Sequence, residues 1–152
     1  MRRFIDYDLR SWKNSSRRKP LIIRGARQVG KTFSVKRFAE TCFENYALVD
    51  LEKNPDWHRI FEENLNVQRI CSDLEVLLGK KITPGKSLLF IDEIQSCPQA
   101  IMALRYFHED LPELHVIAAG SLLEFAMQQI SFPVGRIQFL YLRPLSFAEF
   151  LA

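Results

Sequence analysis

Gly25-Ala26-Arg27-Gln28-Val29-Gly30-Lys31-Thr32 has the residue types and the spacing to hold a chain of phosphates. It fits the pattern G-x-x-x-x-G-K-[ST]. The glycines let the backbone turn sharply and aim successive N–H groups inward, with no Cβ between them and an anion. Lys31 is then set to reach the β- and γ-phosphates of a nucleotide. Thr32 can offer its hydroxyl to Mg²⁺, and a helix starting there points its positive end at the phosphates.

A second constellation lies 61 residues beyond Lys31, where Leu88-Leu89-Phe90-Ile91 runs into Asp92-Glu93. The apolar run has the character of a strand buried on both faces. In an open α/β sheet, ligands sit beyond the carboxyl ends of such strands. Asp92 suits a water-mediated hold on Mg²⁺. Glu93, one residue further, suits activation of an attacking water by accepting its proton. Two further side chains fit the same chemistry. Ser121, at the tip of the apolar run His115 to Ala119, either contacts the γ-phosphate and orients the water or caps the helix that follows. Arg136, in the loop Phe132-Pro133-Val134-Gly135-Arg136, either supplies an arginine finger, to its own site or a neighbour's, or makes a structural salt bridge.

These residues need a scaffold that brings them to one edge, and the chain patterns supply one. Leu21-Ile22-Ile23 reads as a buried strand before the glycine loop, and Thr32 to Glu40 as the helix after it, which is the order a phosphate loop requires. Tyr46 to Val49, ending in Asp50, reads as a second strand. His115 to Ala119 and Ile137 to Leu142 read as two more. Between them, helices are expected from a start signal at Asn54-Pro55-Asp56 to about Asn64, over Val67 to Leu78, after Ser96-Cys97-Pro98 through Ala100 to Asp110, and over Leu122 to Gln129. Pro84-Gly85 marks a turn. Ahead of all this, Phe4, Ile5, Leu9 and Trp12 are spaced to cover one face of a short lead-in helix that Asn14-Ser15-Ser16 breaks. The basic run Arg17-Arg18-Lys19-Pro20 reads as a solvated loop in preference to a nucleic-acid patch or localisation signal.

Bulk properties narrow the function class. At 152 residues, 47% apolar and 26% charged, the chain is sized for one domain with a real core. A net charge of +3 permits contact with nucleic acid without indicating it. Cys42, Cys71 and Cys97 are odd in number and widely spaced, so neither a disulfide framework nor a metal cluster is suggested, and a cytoplasmic setting fits. The start is basic but leads into charged residues, unlike a secretory signal, and no apolar run is long enough to span a bilayer. His58, His108 and His115 read as surface or boundary residues with no partner cluster nearby. Ser146-Phe147-Ala148-Glu149 has the capping-box spacing of a helix start. The chain ends one turn later, at Ala152, and reads as interrupted there.

On the blocks Pro20 to Thr32, Ile91 to Gln95, Ala119 to Glu124, Phe132 to Arg136 and Pro144 to Leu151, the sequence resembles bacterial and archaeal AAA-type P-loop ATPases. In these ATP-binding, AAA domain-containing proteins an N-terminal ATPase domain precedes a C-terminal domain of unknown function. The resemblance implies an α/β fold of the additional-strand, catalytic-glutamate class of P-loop NTPases, with a mostly parallel five-stranded sheet flanked by helices in an α/β/α sandwich. It also implies Lys31 and Thr32 in Walker A, Asp92 and Glu93 in Walker B, and Ser121 at the sensor position. The expected division is a lead-in helix over residues 1–18 and an ATPase core over 19–152 that reads as truncated at its C-terminal end, without the lid and C-terminal module of longer members. The expected ligands are ATP and Mg²⁺, with a homo-oligomer or partner protein compatible and no membrane. The expected activity is Mg²⁺-dependent ATP hydrolysis, the alternative a nucleotide-dependent switch or assembly module with little turnover. A small-molecule kinase fits poorly, for want of a lid with clustered arginines.

Overall fold

The computed structural model describes residues 4–25, 30–121, 123 and 135–142. Helix α1 (Phe4–Lys13) leads into strand β1 (Leu21–Arg24), and α2 (Lys31–Cys42) into β2 (Asn45–Asp50). A 3-10 turn at Pro55–Trp57, α3 (His58–Glu62) and α4 (Val67–Leu78) follow, then β3 (Ser87–Asp92), a 3-10 turn at Ile94–Ser96, α5 (Pro98–Asp110), β4 (His115–Gly120) and β5 (Gln138–Tyr141).

The five strands form one sheet in the order β2-β3-β4-β1-β5, and every neighbouring pair is parallel. All strands therefore end at one edge. The expected additional-strand arrangement is present, because β4 lies between the strand that precedes the glycine loop and the strand that ends in Asp92.

Parallel strands joined by helices need cover on both faces, which is why β1, β3 and β4 are apolar without alternation. On one face Ile22, Val49, Leu89, Ile91, Val116 and Ala118 pack with residues of α3, α4 and α5, including Phe61, Ile70, Leu74 and Phe107. On the other, Ile23, Leu88, Phe90, Ile117 and Ala119 pack with Ile5, Leu9 and Trp12 of α1 and Val35 and Phe38 of α2. The lead-in helix is thus part of the core, although Phe4 at its start is exposed.

Local capping differs from the pattern in one place. Asn54 does not cap the turn it precedes, because its side-chain amide donates to the Asp50 carbonyl at 3.0 Å. The turn just before it, at residues 51–53, is the one a side chain caps: the Asp50 carboxylate accepts from the backbone N–H groups of Glu52 and Lys53. By contrast α4 is closed at both ends, by Asn66 Oδ1 accepting from the Arg69 N–H at 3.1 Å and by Gly79 in the left-handed region at φ 64°.

The histidine at the start of β4 corrects an expectation. His115 is buried, 6% exposed, and is not a boundary residue. It lies edge-on to Trp12 at 5.6 Å and Phe43 at 5.0 Å. Burial pushes its pKa down to about 4, helped by the charge of Arg18. Arg18 itself is occupied by backbone, donating to the carbonyls of Lys13, Pro112 and Glu113. The basic run is therefore a structural loop with one of its arginines spent on tying α1 to the β4 approach.

Candidate active site

The carboxyl ends of β1 and β3 bring the two sequence constellations together. Gly25 follows β1, and Gly30 stands at φ 88°, a backbone that favours glycine and that lets α2 begin at Lys31. Lys31 is 7% exposed. Its Nζ donates to the Gly25 carbonyl at 2.9 Å and so ties the two ends of the loop. Ala26, Arg27, Gln28 and Val29, expected to cradle phosphates, lie outside the described residues.

One turn face further along α2, Thr32 Oγ1 donates to Asp92 Oδ2 at 2.7 Å. Residues 60 positions apart in sequence thereby meet directly. Asp92, 4% exposed, uses its other oxygen to accept from the Glu93 N–H at 2.9 Å. Burial raises the Asp92 pKa; the Thr32 hydrogen bond opposes this, and the charges of Glu93 and of Asp50, which stands beside Asp92 in register on β2, add to it. A carboxylate whose ionised form is disfavoured in this way is a ready partner for a cation.

Glu93 turns away from the strand with a left-handed backbone, φ 54°, the one non-glycine residue with positive φ among those described. The turn at Ile94–Ser96 then brings Gln95 back, and its Nε2 donates to Glu93 Oε2 at 2.7 Å. Ser121 follows the tip of β4, is 5% exposed, and its hydroxyl has no hydrogen-bond partner among the described residues. Because Arg24 and Gly120 are partners in register, the ends of β1 and β4 are adjacent.

Arg136 does not join this group within its own chain. It precedes β5, which runs parallel to β1, so it lies at the edge where strands begin. There its Nε donates to Glu109 Oε1 at 2.8 Å, beside Arg105, and the two guanidiniums hold Glu109 below the usual carboxylate range. The salt-bridge alternative describes its position in this chain.

A family model for the AAA domain matches residues 17–151. The chain belongs to the AAA domain family. No curated protein matches it. As an AAA domain it is of a nucleotide-binding, ATPase type, and the parallel sheet with β4 between β1 and β3 is consistent with that membership. Among the described residues no helix is long and apolar enough to cross a membrane. No group of three or more His, Cys, Asp or Glu residues among them could hold a metal.

Two participants escaped the sequence reading. Asp50 was seen only as a strand end, and Gln95 was not singled out, because an amide two residues past an acidic pair carries no periodic signal.

Proposed function

We propose that this AAA domain hydrolyses ATP in a Mg²⁺-dependent reaction with Glu93 as the general base. The observation that carries the reading is the Thr32–Asp92 hydrogen bond at 2.7 Å. It unites the residue that ends the phosphate loop with the carboxylate beside Glu93. Both are hard oxygen donors suited to Mg²⁺, which keeps several waters and is bound through few protein groups and substrate phosphates. When bound, Mg²⁺ neutralises charge on the phosphates. Thr32 and Asp92 would hold it, and the raised Asp92 pKa fits a group that gains from a nearby cation.

The backbone of residues 25–30 cradles the phosphates in this reading, and Lys31 exchanges the Gly25 carbonyl for a phosphate oxygen. Glu93 takes a proton from water as the water oxygen bonds to the γ-phosphorus. The bond from that phosphorus to the β–γ bridging oxygen breaks, and ADP leaves with its electron pair. Ser121 contacts the γ-phosphate or the water at the β4 tip. Arg136 acts, if as a finger, on the nucleotide of a neighbouring copy.

The test is phosphate release measured beside fluorescent-nucleotide titration. Lys31→Ala should weaken nucleotide binding by about 10- to 100-fold, the value of a lost charge-assisted contact. Glu93→Gln should keep binding and lose about 100-fold or more in kcat, the scale of general-base catalysis. Equal release by wild type and Glu93→Gln rules out Glu93 as base. Tight binding with no release by wild type establishes the switch in place of the enzyme.

A further inference from the structure

Gln95 lies between the proposed base and the tip of β4. Its Nε2 lies 2.7 Å from Glu93 Oε2. A carboxylate can only accept, so the amide NH₂ must face it and the amide oxygen must face away. That oxygen is buried with no hydrogen-bond partner among the described residues. It lies against Gly120, where a Cβ would stand 2.4 Å from it, closer than real Cβ contacts come. The next residue is Ser121, whose buried hydroxyl is likewise unpartnered among the described residues. Gly120 is not among the glycines with positive φ, so a Cβ there would act through space: it would push the Gln95 carboxamide out of its present position.

We infer that Gln95 is the positioning residue of the hydrolytic reaction: its amide fixes one Glu93 oxygen, leaves the other for water, and ties both to the β4 tip that carries Ser121. The inference rests on Glu93 acting as base. The left-handed turn at Glu93 serves this arrangement, since it returns the chain so that a side chain two residues on can reach back. A hydrogen bond through one carboxylate oxygen reduces its rotation and leaves the other oxygen to accept, as a general base that must meet water in one orientation requires.

The experiment is steady-state ATPase kinetics on the full chain with fluorescent-nucleotide titration alongside. Gln95→Ala should lower kcat by about 10- to 100-fold, the scale of a misplaced catalytic group, with KM and nucleotide Kd unchanged. Gln95→Met keeps about the same size and removes the donor without adding charge, and should fall about as far; a packing role would leave it near wild type. Gly120→Ala should lower kcat like Gln95→Ala, and should cost little more when the two are combined, because the added Cβ then has room. In the Glu93→Gln background, Gln95→Ala should add no further loss. Wild-type kcat in both Gln95 variants, with Glu93→Gln inactive, overturns the positioning role and leaves the base intact. Full turnover by Glu93→Gln, or none by wild type, overturns the base and this inference with it. If Gly120→Ala fails to fold by circular dichroism, the Gln95→Met result decides.

Discussion

Single residues in this domain are tuned by what surrounds them more than by their type. His115 has a folded pKa of about 4 against an ordinary 6.5, because burial beside Arg18 disfavours its charged form. Between those values the unfolded chain binds more protons than the folded one, so stability rises with pH across that window and is fully present above 6.5. Urea midpoints should therefore fall as pH drops from 6.5 towards 4, and His115→Phe, which keeps an aromatic between Trp12 and Phe43, should flatten that decline. An unchanged slope in the variant would assign the acid sensitivity to carboxylates instead. At this scale the sequence was uneven as a guide. That Thr32 and Asp92 would meet could be read from type and spacing alone. The burial of His115 could not, since it begins an apolar strand exactly as a boundary residue would, and only the arrival of Trp12 and Phe43 from other elements encloses it.

At the scale of elements, helix and strand existence was legible because the apolar patterns are strong. Helix α4 was expected over Val67 to Leu78 and occupies those residues, and the unbroken runs of β3 and β4 read as strands buried on two faces. Which side chain caps which turn was less legible, as Asn54 and Asp50 show, since both residue types can cap and the choice depends on how the chain folds back. The ends of α4 offer a direct measurement. Asn66→Ala removes the acceptor for the Arg69 N–H and should cost about 1 kcal/mol. Gly79→Ala forces a Cβ into the left-handed region with open space around it, so its cost, about 1 kcal/mol, is conformational and not steric. Urea unfolding monitored by far-ultraviolet circular dichroism reads both; the two losses should add, because the sites lie at opposite ends of a 12-residue helix.

For the whole molecule, strand order is the property that apolar patterning could not supply, since any of the buried strands could neighbour any other; here it came from the family resemblance. Strand direction decides where Arg136 stands: β5 runs parallel to β1, so the residue ahead of it lies at the edge remote from Asp92. Any role as a finger therefore requires a second copy: specific activity should rise with protein concentration, and Arg136→Ala should abolish the rise. Activity independent of concentration, and unaffected by Arg136→Ala, would leave the residue as the partner of Glu109. The same order has a metrical consequence. One strand separates β1 from β3, so the strand ends that carry the lysine loop and the acids are two inter-strand steps apart, roughly 9.5 Å, set by main-chain ladders. Side-chain volume does not enter that spacing. Carving out the interior, as in Phe61→Ala with a loss of about 3–5 kcal/mol, should leave nucleotide Kd unaltered in whatever fraction stays folded. The gauge of the site is written in peptide bonds, and the domain can drift in its packing without changing the size of what it grips.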